Sequence, residues 1–144
     1  MKEQLYKAFA DQIEETLSSE SPDYDWITRL YSEIKERLQK FVRPTNKLYT
    51  EMEEKLDPQL FRQMLEYKAF TGDDFVKLLN FIFGVCLQLG APVRDADVCQ
   101  KKKNLLEKLE DGASLHEIVA TFILEINGII DVIESGIVNL LPKN

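Results

Sequence analysis

Residues 26–41 read WITRLYSEIKERLQKF, and the apolar members of this stretch recur every three or four positions. A step of three or four residues returns to the same side of an α-helix, so one face is apolar and the charged residues, Arg37 among them, lie opposite. The apolar face consists of Ile27, Leu30, Tyr31, Ile34, Leu38 and Phe41. Strict alternation of apolar and polar residues over a strand length is absent from the sequence, which therefore predicts an all-α protein.

The same spacing predicts helices on both sides of this stretch. A first helix is expected over residues 2–17, with apolar residues every four positions. Ser21 and Pro22 predict that the second helix starts near Pro22, because serine can cap free backbone amides and proline fits the first turn. Asp57 and Pro58 repeat this signal before a short fourth helix. The stripe of the first helix is Leu5, Phe9, Ile13 and Leu17.

Two apolar stretches are predicted to form much of the core. Residues 75–90 are apolar around much of the helical circumference, which favours a central helix with neighbours on several sides. Residues 114–141 keep the helical spacing, and Ser114 and Glu117 have the spacing of a capping box. The chain, residues 1–144, is thus expected to be a single-domain helical bundle of about six to seven helices.

Composition excludes several classes of function. The chain has 144 residues and a net charge of −7, which disfavours general binding to nucleic acid or to anionic lipid. Its most apolar stretch is shorter than the roughly 20 apolar residues that a membrane span requires. The N-terminus, MKEQL, lacks the apolar core of a secretion signal, and two cysteines do not make a disulfide framework. We expect a cytoplasmic protein.

Side chains that could carry catalysis are scarce. His116 is the only histidine and lies inside the predicted capping sequence, where an ordinary surface or cap role is expected. The carboxylates fall on polar faces and at helix ends, and no phosphate-binding glycine loop or metal-ligand spacing is present. We predict that the chain is not an enzyme and that it holds no metal and no cofactor.

One candidate binding segment is the start of the second helix. Asp23, Tyr24 and Trp26 combine an acidic residue with two large aromatic residues, and tyrosine and tryptophan are enriched at binding hot spots. The alternative is that these aromatic rings anchor the helix against the rest of the bundle. Lys101–Lys103, the one basic cluster, is predicted to be a solvated face, with an acidic partner or a phosphate contact as the alternative.

The stretch GAPVRDADV, residues 90–98, is predicted to be a corner between two helices. Gly90 can end the preceding helix, Pro92 prevents its continuation, and Asp95 can cap the next helix. None of this requires Arg94, whose guanidinium can donate up to five hydrogen bonds. We expect Arg94 to be a structural clasp on backbone carbonyls or on a carboxylate of the second helix, with a partner-facing role as the alternative.

Five segments carry a family resemblance in chain order. They are PDY at 22–24, Leu30 with EIKERL at 33–38, EEKLD at 53–57, the pair Leu60 and Gln63, and APVRDADV at 91–98. In this order they resemble the t-complex protein 11 family, for which APVRDxxV is the most specific motif. Gly90 stands where that family usually has a cysteine. The resemblance covers about residues 22–98, and typical members are several times longer, so the chain looks like the front part of the family domain.

The resemblance implies a binding or regulatory role, because the family has no established catalytic residues. It includes testis and sperm proteins and fungal relatives linked to cyclic-AMP-dependent kinase signalling. We therefore expect a non-enzymatic helical module that binds another protein, with a link to that signalling as an implication of the resemblance. The alternative is a small-molecule or lipid-binding bundle, in which helices 75–90 and 114–141 part to form a pocket.

A further alternative is a self-assembling structural protein. The last predicted helix has a wide apolar face that a second copy could complete. Gly128 and Gly136 lie on it, and glycines in a helix are typical of close helix contacts or of a bend. A homo-oligomer is therefore an open possibility alongside a different partner protein.

Overall fold

The computed structural model describes residues 2–68 and 73–140, apart from the side chains of residues 2, 3, 5, 6 and 137–140. Every regular element in this part of the chain is helical, which confirms the all-α prediction. Leu5 of the predicted first stripe lies outside the described side chains. The helices are α1 (Lys2–Ser18), α2 (Tyr24–Gln39), α3 (Lys47–Lys55), α4 (Pro58–Glu66), α5 (Asp73–Leu89), a 3₁₀ turn (Pro92–Arg94), α6 (Asp95–Glu110) and α7 (Leu115–Leu140).

The helix start signals are partly confirmed. Helix α2 begins at Tyr24 rather than near Pro22, and its cap is Asp23, whose carboxylate accepts a hydrogen bond from the Trp26 amide at 3.0 Å. The prediction was wrong by two residues because the Asp23 amide donates to the Thr16 hydroxyl at 2.8 Å, which holds Asp23 at the cap. Asp57 caps α4 as predicted.

Helix α7 occupies the centre of the bundle. It packs against α1, α2, α5 and α6, and its contact with α1 is the most extensive between any two described helices. Helix α5 packs against α3, α6 and α7. The two helices form much of the core as predicted, but the central position belongs to α7 and not to α5, since α7 is 26 residues long and reaches more neighbours.

An aromatic cluster joins four helices at the centre. Tyr31 of α2 lies against Phe61 of α4, with ring centroids 4.2 Å apart in an edge-to-face arrangement. Phe122 of α7 approaches Phe61 at 6.0 Å and Phe75 of α5 at 5.8 Å. All four rings are buried, and edge-to-face pairs add to the free energy of burial. This cluster fixes the relative positions of α2, α4, α5 and α7.

A polar tie joins α2 to α7 beside this core, and we name it the Arg37 seam. The guanidinium of Arg37 donates to Asn127 at 2.8 Å, to Asp131 at 2.7 Å and to Glu134 at 3.0 Å. Partial burial works to lower the pKa of Arg37, but the hydrogen bonds to Asp131 and Glu134 outweigh it and raise that pKa above its ordinary value. The side chain is 26% exposed, so the prediction of an outward-facing Arg37 was wrong.

None of the described helices combines the length and the apolar character needed to cross a membrane.

Candidate functional site

An open groove of about 800 Å³ lies beside the corner between α5 and α6, and we name it the corner groove. Its walls are the end of α5, the 3₁₀ turn, the start of α6 and the second half of α7. Its described lining residues are Cys86, Leu89, Gly90, Ala91, Arg94, Asp95, Asp97, Val98, Lys101, Gly128, Ile129, Asp131, Val132, Ile133, Ser135 and Gly136. The groove therefore lies where α5, the 3₁₀ turn, α6 and α7 meet.

The corner itself is confirmed, with one correction. Helix α5 ends at Leu89, and the Gly90 amide donates to the Cys86 carbonyl at 2.9 Å. Asp95 is the first residue of α6 and not its cap, so the predicted cap was wrong. The reason is that the 3₁₀ turn runs directly into α6, and the Asp95 amide donates to the Pro92 carbonyl. The Asp95 carboxylate still lies at a helix N-terminus, where negative charge is favoured.

Arg94 does not act as a clasp. The side chain is exposed, and its guanidinium makes no hydrogen bond or ion pair with any residue in the described ranges. Two carboxylates of the groove already have cations, since Asp97 pairs with Lys101 at 3.6 Å and Asp131 pairs with Arg37. The prediction of a structural clasp was therefore wrong. Val93 beside it is 85% exposed, so the turn presents both side chains outward.

The α7 wall of the groove is bare. A Cβ atom built on Gly128 or on Gly136 would meet no heavy atom of the described residues within 4 Å, so neither glycine marks a close contact with a described helix. The close-contact alternative was therefore wrong, because both glycines line the groove, and the alternative of a bend stays a prediction. Val132 lies one turn from each glycine and is exposed. This face of α7 offers backbone and small side chains to whatever enters the groove.

The floor of the groove is apolar. Cys86 is fully buried, and burial raises the pKa of its thiol to about 12, so it is not a reactive thiolate at neutral pH. Lys101 at the rim also pairs with Glu125 at 3.8 Å. Among the described lining residues there is no histidine to act as a base for the thiol. The arrangement suits burial of an apolar surface with charged groups at its edge.

The side chains at the start of α2 pack against the rest of the bundle. The Trp26 ring packs edge-to-face on Phe9 of α1, with centroids 5.9 Å apart, and Tyr24 is partly buried against the core. Asp23 caps the helix. None of these three residues lines the corner groove, whereas Arg94 and Asp95 both do. The structure thus divides the sequence candidates between an anchored helix start and an open corner.

The part of the chain that the structure describes contains no group of three or more histidine, cysteine, aspartate or glutamate side chains placed to hold a metal ion. Neither the Arg37 seam nor the bare α7 wall was predicted from the sequence. The four-residue spacing of Gly128 and Gly136 around Val132 was the available signal for the second.

The chain is similar to proteins of one known family. The model of a family described as T-complex protein 11 matches residues 1–141, so the likeness extends beyond residues 22–98 to α1 and α7. The human T-complex protein 11 homolog is 36% identical over 108 residues, which cover 74% of this chain and 21% of that protein. The human T-complex protein 11-like X-linked protein 1 is 36% identical over 114 residues, or 78% of this chain and 21% of that protein.

The mouse protein named T-complex protein 11 is 33% identical over 107 residues, which cover 73% of this chain and 18% of that protein. The chain thus spans about a fifth of the length of these curated relatives. No solved structure matches.

Proposed function

Since the chain belongs to the T-complex protein 11 family, we propose that it is a non-enzymatic helical module that binds another protein through the corner groove. The observation that carries this proposal is Arg94, an exposed arginine without a partner among the described residues, at the rim of a groove with an apolar floor. It lies within the APVRDxxV motif by which the sequence resembles the family.

The groove has the form of a helix-binding site. Leu89 and Val132, neither of which is buried, provide apolar surface in the groove, and amphipathic helices bind such grooves through apolar residues spaced three and four positions apart. The bare wall at Gly128 and Gly136 lets another backbone approach α7 closely. Burial of this floor supplies affinity, and charged groups at the rim supply orientation.

Charge at the rim favours an acidic residue on the partner. Lys101 is engaged by Asp97 and Glu125, so Arg94 is the groove cation that remains available within the described ranges. A planar guanidinium recognises a carboxylate through two parallel hydrogen bonds. The proposed partner segment is therefore an amphipathic helix whose apolar face lies on the floor and whose acidic residue reaches Arg94.

The setting in which this binding operates is part of the same proposal. The resemblance implies a regulatory role linked to cyclic-AMP-dependent kinase signalling, and we place this role in the cytoplasm, as the sequence predicts. The support for this link is the family membership alone, whereas the binding surface is supported by the geometry of the groove.

Proximity labelling in the native cell tests the proposal, with the full chain compared with its variant Arg94→Glu. Reversal of this exposed charge is expected to lower enrichment of a specific partner by about tenfold while leaving the fold intact. Lys103→Glu is the matched control, because Lys103 is exposed on α6 and does not line the groove. Its enrichment should equal that of the wild type.

Two outcomes contradict the proposal. If Trp26→Phe lowers enrichment and Arg94→Glu does not, the binding surface is the start of α2. If light scattering shows a concentration-dependent dimer that Arg94→Glu abolishes, the groove is occupied by a second copy of this chain and not by a different protein.

A further inference from the structure

A second cleft, of about 700 Å³, lies between α3 and α4 on one side and α5 on the other. We name it the Tyr31 cleft, after the α2 residue that contributes to its lining. This volume falls within the range of about 300–1,000 Å³ that is typical of small-molecule sites. The described lining residues are Tyr31, Glu54, Lys55, Asp57, Leu60, Met64, Asp74, Lys77, Leu78, Asn80 and Phe81. The cleft shares no lining residue with the corner groove.

The hydroxyl of Tyr31 is the unusual group in this cleft. The residue is only 1% exposed, and its ring is held by Phe61 and Phe122. Its hydroxyl nevertheless makes no hydrogen bond with any residue in the ranges 2–68 and 73–140. A buried tyrosine hydroxyl normally has a partner, because an unpaired polar group loses its hydration without compensation. Tyr31 is therefore a buried polar group with an unmet hydrogen bond.

The hydroxyl is not sealed inside the core. Within the described ranges, Thr28 is the residue whose side-chain oxygen is fully enclosed without a partner, and Tyr31 is not in that condition. Tyr31 lines the cleft, so the cleft is the route by which its oxygen reaches the outside. A molecule that enters the cleft can supply the missing hydrogen bond.

The surroundings of the Tyr31 hydroxyl determine its protonation state. Burial raises the pKa of Tyr31, and the Asp57 carboxylate raises that pKa further, so the phenol keeps its proton at every physiological pH. Asp57 and Tyr31 both line the cleft, so a molecule bound there meets both groups. One Asp57 oxygen accepts from the Gln59 amide at 2.9 Å, and the carboxylate has further acceptor capacity.

The rest of the lining combines apolar residues with charged residues of both signs. Leu60 is 45% exposed, and Met64, Leu78 and Phe81 continue the apolar surface. The rim has three carboxylates against two ammonium groups, and one of these, on Lys55, lies 4.9 Å from the centre of the Phe81 ring. This balance disfavours an anionic ligand.

We infer that the Tyr31 cleft binds an uncharged, mainly apolar small molecule with a hydroxyl head group. The head accepts a hydrogen bond from Tyr31 and donates one to Asp57, while the apolar body covers Leu60, Leu78 and Phe81. This site is independent of the proposed protein-binding groove.

The experiment uses the full, ¹⁵N-labelled chain and two probes of equal length, 1-hexanol and hexanoate, followed by amide chemical shifts. We expect 1-hexanol to shift the amides of Leu60, Lys77 and Phe81 in a saturable way, with a dissociation constant on the order of millimolar for so small a ligand. Hexanoate should bind about fivefold more weakly or not at all, because its carboxylate meets Asp57.

Tyr31→Phe removes only the hydroxyl and keeps the ring in the aromatic cluster. It should weaken 1-hexanol about fivefold, as expected for one lost hydrogen bond, whereas Tyr49→Phe, outside the cleft, should change nothing. Leu60→Trp, at an exposed position on the cleft wall, should block binding, and it decides the matter if Tyr31→Phe fails to fold. No saturable shifts, equal affinity in Tyr31→Phe, or tighter binding of hexanoate overturns the inference.

Discussion

The Arg37 seam and the Arg94 corner place the same side chain in opposite surroundings. Arg37 meets three acceptors on α7 at 2.7 to 3.0 Å, whereas Arg94 meets none among the described residues. Both arginines lie next to α7, since Arg94 lines the groove that α7 walls. An arginine near a helix junction becomes structural only where the facing helix presents acceptors at the matching height.

Neighbouring residues of α7 produce this difference. Asn127, Asp131 and Glu134 face α2. Gly128, the residue after Asn127, and Gly136, two residues after Glu134, line the groove. One residue along a helix is a rotation of about 100°. The same turns of α7 are therefore held by hydrogen bonds on one side and left bare on the other. Asp131 belongs to both, because it lines the groove while its carboxylate holds Arg37.

The largest expected effect comes from replacing Arg37 with alanine, and the same replacement at Arg94 is its comparison. Arg37→Ala removes the hydrogen bonds that the guanidinium donates to Asn127, Asp131 and Glu134, so unfolding should become easier by about 2–3 kcal/mol. Arg94→Ala should lie within about 0.5 kcal/mol of the wild type, as is usual for an exposed side chain without contacts. Urea unfolding followed by circular dichroism measures both.

Arg37→Lys sharpens this test. It keeps the positive charge but loses the planar fork, so its stability should fall between those of Arg37→Ala and the wild type. Equal losses for Arg37→Ala and Arg94→Ala would remove the distinction between seam and corner.

The contrast also shows what sequence reasoning could reach. The helical spacing of residues 26–41, the Asp57 cap and the break at Pro92 are local patterns, and the structure bears them out. The role of Arg37 depends on residues 90 or more positions away in sequence, and a single sequence does not reveal which turn of α7 faces α2. The clasp at Arg94 was predicted wrongly, and the Tyr31 cleft was not predicted at all. Both errors have the same cause, because both features depend on how helices that are distant in sequence are placed against each other.

A smaller effect tests whether solvent that enters the corner groove reaches the residues beneath it. Cys86 lies beneath the groove and is fully buried, and its thiol has a pKa raised from 9.0 to about 12. The unfolded chain loses this proton first as pH rises, so stability is intact below pH 9 and declines between pH 9 and 12. At pH 10 the loss should be about 1.4 kcal/mol relative to pH 8.

Urea unfolding at several pH values checks this slope. Cys86→Ala should remove the part of the slope that begins near pH 9 and leave the part that Tyr31, whose pKa is also raised by burial, contributes above pH 10, while Cys99→Ala, at an exposed position, should leave the whole slope unchanged. A thiol reagent at pH 8 should modify Cys99 quickly and Cys86 only as the chain unfolds. Rapid modification of Cys86 would mean that solvent reaches the floor of the groove. The corner would then be open to solvent down to the core, unlike the Arg37 seam.

The smallest effect concerns the bare wall of α7. Gly128→Ala should stabilise the chain by about 0.5–1 kcal/mol, because alanine is the better helix former and its Cβ meets nothing within 4 Å. Gly84→Ala in α5 is the matched control, with the same free space but no place in the groove lining. The two thermal stabilities should rise together, whereas labelling of a groove partner should fall only in Gly128→Ala. If both variants kept full labelling, the partner would not approach this wall closely, and the openness that separates the corner from the seam would have no part in binding.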